Sequence, residues 1–132
     1  MPRAYSARLS ALTLGVPLKW VDNLLSHRAF PGVSRSRQGV ERRISDAGLV
    51  AIEIVRLLTT ELGIPLGRAA EIAREAVESR PDSEVQLTTA SGITLRVPIG
   101  DIERRVRDRV LNAVEEVARV PRGRPRRMFA KD

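Results

Sequence analysis

The sequence predicts a mainly helical fold with small β elements. Apolar residues recur at three- and four-residue spacing over several stretches, and glycine and proline separate those stretches. Two short segments in the last third alternate apolar and polar residues instead. With 42% hydrophobic and 30% charged residues, the 132-residue chain has the composition of a folded protein of one compact domain, or one small domain with additions.

The first predicted helix spans residues 6–14 and ends at Gly15. Its Leu9, Ala11 and Leu12 are available for packing, and the small alanine allows a second helix to approach closely.

The second predicted helix starts at Val16 and Pro17, because proline suits the first turn of a helix. Its apolar stripe consists of Val21, Leu24 and Leu25. Its polar side carries Lys19, Asp22, Asn23, Ser26 and His27. Two short helices joined at a glycine have the outline of a helix-turn-helix, and also that of a helical hairpin with no binding role.

The segment from Phe30 to Ile44 predicts a small hairpin rich in arginine. A Pro-Gly pair and Gly39 mark turns, and Val33 and Val40 are β-prone anchors. Its arginines are Arg35, Arg37, Arg42 and Arg43. A basic hairpin beside a helix-turn-helix is a wing, whose guanidinium groups can bind phosphates or enter a minor groove. The alternative is a disordered basic loop.

Two further helices are predicted as scaffold. Ser45 is a good N-cap for a helix through Leu62 that ends at Gly63, and Pro65 begins the next. The apolar side of that next helix is expected to comprise Leu66, Ala69, Ala70, Ile72, Ala73 and Val77. Its solvent side carries Glu71, Glu75 and Glu78. Residues 1–80 are therefore expected to form one domain.

A β-hairpin and a long helix are predicted as a separate module, residues 81–120. The hairpin should project one apolar face, made of Val85, Leu87, Ile93, Leu95 and Val97. Asp101 is expected to cap the helix, which runs to about Val120. The apolar stripe of the helix needs a partner, either the chain's own hairpin or a second copy, and we favour a homodimer. The residues expected at that dimer or partner contact are Leu95, Val97, Ile102, Val106, Val110, Ala113 and Val117.

Charge is distributed unevenly along the chain. The net charge of +7 comes from +6 over residues 1–43, −4 over residues 44–118 and +5 over residues 119–132. Basic ends around an acidic middle are typical of a nucleic-acid binder, whereas a purely solubilising charge would be spread more evenly.

Residues 121–132 form a basic tail. Its Arg122-Gly123-Arg124-Pro125 resembles an AT-hook core, in which both arginines enter the minor groove of A·T-rich DNA. An unspecific basic tail is the alternative, and either would attract phosphate.

The composition disfavours an enzyme. There are no cysteines and one histidine, so disulfides, thiolate metal sites and multi-histidine centres are not expected, and no cofactor is predicted. No apolar run reaches the roughly 20 residues of a membrane helix, and no signal segment is evident. A cytoplasmic, nucleoid-associated protein is expected.

Over residues 9–76 the order of elements resembles the MerR-type winged helix-turn-helix. The segments that carry the resemblance are Leu14-Gly15-Val16-Pro17-Leu18-Lys19-Trp20-Val21, Ala29-Phe30-Pro31, Val40-Glu41-Arg42-Arg43-Ile44-Ser45 and Leu62-Gly63-Ile64-Pro65-Leu66. The resemblance implies a bacterial dimer on a palindromic site, with the second helix in the major groove and the wing on the flanking backbone. It also implies DNA contacts by Lys19 and by Arg42 or Arg43. The sequence departs from the family at Asp22-Asn23-Leu24, where Arg-Tyr-Tyr is usual, and at Arg28, where glycine is common.

The leading hypothesis is a sequence-specific, dimeric transcriptional regulator. The residues expected at double-stranded DNA are Pro17, Lys19, Trp20, Asn23, His27, Arg28, Arg35, Arg37, Arg42, Arg43, Arg122 and Arg124. Asp22 would repel phosphate unless it faces a base or a neighbouring cation. Two alternatives are an antitoxin that clamps a toxin through the C-terminal module and autoregulates its operon, and a non-specific architectural nucleoid protein.

Overall fold

A computed structural model of the chain describes residues 4–26, 30–34, 42–79 and 84–119, with side chains described up to residue 116. Helices dominate these residues, with two small antiparallel sheets, which confirms a mainly helical fold with small β elements. The elements are β1 (Ala4–Tyr5), α1 (Ala7–Leu14), α2 (Leu18–Ser26), β2 (Val33–Ser34), β3 (Arg43–Ser45), α3 (Asp46–Leu62), α4 (Leu66–Ser79), β4 (Val85–Thr88), β5 (Thr94–Val97) and α5 (Ile99–Arg119).

Helix α1 begins and ends as the sequence predicts. The Ser6 hydroxyl accepts a hydrogen bond from the Leu9 backbone N–H at 3.1 Å, which satisfies a free donor of the first turn. Gly15 adopts a left-handed conformation with φ of 70°, which glycine reaches without steric cost. Its N–H and that of Val16 then bond to the last carbonyls of the helix.

The buried face of α1 differs from the prediction. Leu12 is 52% exposed, whereas Ser10 and Thr13 are buried. Helix α1 packs against both α2 and α5, so its buried surface is wider than one apolar stripe and includes these two small polar residues. The Ser10 hydroxyl donates to the Ser6 carbonyl at 2.8 Å, so its burial leaves no unpaired donor.

Helix α2 presents the predicted faces. Val21, Leu24 and Leu25 are buried against the core, and Lys19 and Asn23 are exposed on the opposite side. Helix α2 begins directly after Pro17, whose carbonyl accepts bonds from the N–H groups of the first turn.

A three-stranded antiparallel sheet lies beside the two helices, in the order β1-β3-β2. The central residue Ile44 is fully buried and pairs with Tyr5 on one side and Val33 on the other. Gly32, just before β2, has φ of 72°, and its carbonyl accepts from the Ser45 N–H at 2.8 Å. A Cβ atom on Gly32 would lie 2.4 Å from the Gly48 nitrogen, so the chain approaches α3 as closely as glycine allows.

The scaffold helices confirm their predicted caps and faces. The Ser45 hydroxyl accepts from the Gly48 N–H at 3.2 Å at the start of α3, and Gly63 ends the helix in the left-handed conformation. Helix α3 is buried on nearly all sides over residues 48–55, which makes it the centre of the core. Helix α4 buries its alanine-rich side and exposes Glu71, Glu75 and Glu78.

The predicted β-hairpin is present as β4 and β5. Val85 pairs with Val97, and Leu87 with Leu95, so these four side chains share one face, which packs on the core. The prediction for Ile93 is wrong: this residue is 67% exposed. Ile93 precedes β5 in the turn, where its carbonyl accepts from the Thr89 N–H at 2.8 Å, so it lies outside the alternating part of the strand.

Helix α5 begins at Ile99, two residues before the predicted cap. Asp101 therefore lies in the first turn, where its carboxylate forms an ion pair with Arg104, and the prediction that it caps the helix is wrong. A carboxylate in the first turn still interacts favourably with the helix dipole.

The apolar stripe of α5 is covered by the chain itself. Its side chains pack against α1 and α3, and the buried members are Ile102, Val106, Val110 and Ala113. These four residues and Val97 are therefore not accessible to a second chain, and the predicted dimer contact has to be corrected at those positions. Leu95 is half-buried in the same packing.

One continuous core joins the two halves of the chain. The buried residues of β4, β5 and α5 belong to the same apolar cluster as those of α1 to α4. The stretch predicted as a separate module thus completes the core of the first half. None of the helices in the described ranges is long and apolar enough to cross a membrane.

Candidate nucleic-acid interface

The candidate DNA-contacting surface is the outward side of α2, where Lys19 and Asn23 lie one helical turn apart and are both exposed. Pro17 is exposed just before the helix. Trp20 is half-buried and packs against the core, so most of its ring serves packing. Helix α2 thus offers a short row of a cation and an amide, both able to donate hydrogen bonds to nucleic acid.

Arg42 connects the segment before β3 to this surface of α2. Its Nη1 lies 3.2 Å from Oδ1 of Asp22, and its Nη2 donates to the Ser26 hydroxyl at 3.0 Å. The Ser26 hydroxyl in turn donates to the Asp22 carbonyl at 2.5 Å. We refer to these three side chains as the Arg42 clamp.

The clamp changes the role expected of Arg42. The sequence predicts a phosphate contact, but the side chain is 15% exposed and its guanidinium group is occupied by two acceptors of the same protein. The clamp also compensates the negative charge of Asp22, because the carboxylate faces the guanidinium group of Arg42. The cation lies at the last turn of α2, where the helix dipole favours positive charge and where the helix itself carries no basic residue between Asn23 and Ser26.

Arg43 differs from its neighbour. It is exposed on the central strand β3, opposite Ser34 and on the other side of the strand from the buried Ile44. Within the described ranges no ion pair is found for Arg43. Of the two adjacent arginines, Arg43 is therefore the one whose charge is open to solvent.

The remaining predicted DNA-contacting residues lie outside the described residues. They are His27, Arg28, Arg35, Arg37, Arg122 and Arg124. The side chain of Val117, predicted at the dimer contact, also lies outside them.

A second charged cluster, which the sequence does not predict, lies at the edge of the core. Glu53 is buried in α3, and its carboxylate accepts from Arg56 Nε at 2.7 Å and from Arg56 Nη2 at 2.8 Å. Nη1 of Arg109 in α5 lies 3.7 Å from the same carboxylate. The hydrogen bond to Glu53 raises the pKa of Arg56 above its ordinary value, while burial opposes that change. The sequence shows that Glu53 and Arg56 are three residues apart, but it does not show that Glu53 is buried.

Neither cluster has the composition of a metal centre. In the part of the chain that the structure describes, no three His, Cys, Asp or Glu side chains lie together in a way that could hold a metal ion.

Comparison of the chain with models of protein families, with curated proteins and with solved structures finds no match. The residues described above are therefore the basis for the function proposed below.

Proposed function

We propose that the protein is a sequence-specific transcriptional regulator that binds double-stranded DNA as a winged helix-turn-helix of MerR-like type. The observation that carries this proposal is the outward side of α2, where Lys19 and Asn23 are exposed and the charge of Asp22 is compensated by Arg42. A short helix with such a surface fits the width of the major groove.

Each described residue of this surface has a distinct chemical role in the proposal. Lys19, in the first turn of α2, attracts a phosphate, and the positive end of the helix dipole adds to that attraction. Asn23 can form two hydrogen bonds with adenine and so supplies base recognition. Arg43 binds a flanking phosphate from strand β3. The basic tail, residues 121–132, adds attraction that does not depend on sequence.

The proposed regulator acts as a dimer on a palindromic site. Since the apolar stripe of α5 is covered within the chain, a second copy has to contact another surface. Leu111 and Val114 are 54% and 44% exposed on α5, beside Arg107 and Glu115. Two antiparallel copies of α5 crossing at Leu111 would place Arg107 near Glu115 of the partner subunit, so that opposite charges meet around the apolar contact.

The proposal is tested by binding of the purified protein to a labelled random duplex of 20–30 base pairs at several salt concentrations, with the mass in solution from light scattering. We expect a dimer that binds duplex and is released by salt, because phosphate contacts displace counterions. Selection from a random library should then give a site bound at least about 10³-fold more tightly than random duplex.

Two results would contradict the proposal in different ways. A dimer that ignores duplex at low salt would exclude DNA binding and leave a protein-interaction role. Tight binding with no preferred sequence would favour an architectural role.

A further inference from the structure

We infer that Arg42 is a positioning residue for the recognition helix α2 and neutralises Asp22, and that it does not itself contact DNA. This inference rests on the proposed DNA-binding function. It assigns the two adjacent arginines of the wing to different tasks, with Arg43 binding phosphate and Arg42 holding the helix that reads the bases.

The geometry of the clamp supports a positioning role. Asp22 and Ser26 are four residues apart, so both acceptors lie on the same side of the last turns of α2. The planar guanidinium group donates to both from separate nitrogen atoms, at 3.2 and 3.0 Å. Two bonds from a rigid planar group fix the rotation of α2 about its axis more closely than one bond would.

The backbone that carries Arg42 is itself held firmly. The next residue, Arg43, starts strand β3, which pairs with both β1 and β2. The Ser45 N–H at the end of that strand donates to the Gly32 carbonyl. The clamp therefore fixes α2 relative to the sheet, so the base-reading surface and Arg43 on β3 keep a constant relative position.

Charge gives the second part of the inference. Lys19 and Asp22 on the polar side of α2 cancel each other, so without Arg42 this side would carry no net positive charge. With Arg42 bound to Asp22 the side carries one net positive charge, at a surface that has to approach phosphates. The Arg42 side chain is only 15% exposed while it contacts Asp22, so little of it is open to a phosphate.

A double-mutant cycle tests the inference. The variants are Arg42→Ala, Asp22→Asn and the two combined, each titrated with the selected duplex and with random duplex. We expect Arg42→Ala to weaken specific binding about tenfold or more, because it frees the charge of Asp22 and releases the helix. Adding Asp22→Asn should recover the part of that loss that is due to the uncompensated charge of Asp22, because removal of the neutral pair leaves the net charge unchanged. The part that is due to release of the helix should remain.

The matched control is Arg43→Ala, made with and without Asp22→Asn. Because Arg43 is proposed to contact a phosphate, Arg43→Ala should weaken binding by the same factor with and without Asp22→Asn. It should also lower the salt slope of the binding constant by about 0.9. The double variant of Arg42 and Asp22 should keep the slope of the unmodified protein. If the effects of Arg42→Ala and Asp22→Asn multiply to within about twofold, Arg42 acts on DNA independently of Asp22 and the inference is wrong.

Two further variants protect the test from loss of folding. Arg42→Lys keeps the charge but cannot hold two acceptors with a planar group, so specific binding should remain weakened. Full activity of this variant would indicate a simple charge contact and overturn the inference. Ser26→Ala removes one acceptor without changing charge, and it replaces Arg42→Ala in the test if that variant proves unstable. It should weaken binding to the selected duplex more than binding to random duplex.

Absence of duplex binding by the unmodified protein would overturn both the proposed function and this inference, whereas a multiplicative cycle in a protein that binds would overturn the inference alone.

Discussion

The buried carboxylate of Glu53 in α3 lies 3.7 Å from Nη1 of Arg109 in α5. Together with the two hydrogen bonds from Arg56, this contact places a charged link between the central helix and the last helix of the chain. Both arginines reach solvent on one side, so the link lies at the edge of the core, where two cations share one buried anion. Loss of the Glu53 carboxylate should destabilise this arrangement, because the two guanidinium groups would then repel each other with no anion between them.

Replacement of Glu53 should therefore destabilise the fold. We expect Glu53→Gln to lower the free energy of unfolding by about 1–3 kcal/mol. This cost is small for the loss of a buried ion pair, because both arginines can turn toward solvent. Urea denaturation followed by circular dichroism measures this change. The control is Glu61→Gln in the exposed last turn of the same helix, which should cost less than about 0.5 kcal/mol. Equal effects of the two substitutions would show that the buried link does not stabilise the protein.

The close approach of Gly32 to α3 predicts a second stability difference. Gly15 and Gly32 have nearly the same φ, 70° and 72°, but a Cβ atom on Gly15 would meet nothing within 4 Å. Gly15→Ala should therefore cost about 1–2 kcal/mol from backbone strain alone. Gly32→Ala should cost clearly more, because its Cβ would also clash with Gly48 and Ser45. Denaturation midpoints of the two variants provide the comparison, and similar midpoints would contradict the observed packing.

Substitution of Asn23 and of Lys19 should distinguish base recognition from phosphate attraction. Asn23→Ala should change the preferred sequence, with a loss of about 1–3 kcal/mol of discrimination at one base pair. Lys19→Ala should weaken binding to all duplexes by a similar factor and lower the salt slope. Selection from a random library with each variant measures both effects. Unchanged selectivity in Asn23→Ala would mean that this side of α2 does not read the bases.

The exposed apolar residues of α5 allow a test of the dimer. Leu111→Glu should convert the proposed dimer to a monomer, because it places a charge at the centre of the crossing. Ile93→Glu changes an even more exposed apolar residue, in the hairpin turn, and should leave the mass unchanged. Light scattering over a range of protein concentrations distinguishes the two. A dimer that survives Leu111→Glu would require a contact elsewhere on the surface.

Much of the fold follows from local sequence. The cap at Ser45, and the helix ends at Gly15 and Gly63, were predictable because a side chain or a glycine satisfies the backbone within three or four residues. The polar side of α2 was predictable for a similar reason, since helical periodicity separates it from the buried stripe.

The errors concern contacts between distant segments. Helices α1 and α5 pack together although about ninety residues separate them. This packing decides which side of α1 is buried and what covers the apolar stripe of α5. The role of Arg42 depends on a helix twenty residues earlier, and spacing along the chain does not show that the two meet. The sequence did show that Asp22 needs either a base or a neighbouring cation opposite it, but not that Arg42 supplies the cation.

The packing of α5 against α1 makes α1 depend on a helix that is synthesised long after it. A polypeptide released after residue 80 would present the uncovered sides of α1 and α3 to water, so we expect a truncated product to be degraded. The first half of this sequence should therefore reach its final stability only after α5 has been synthesised.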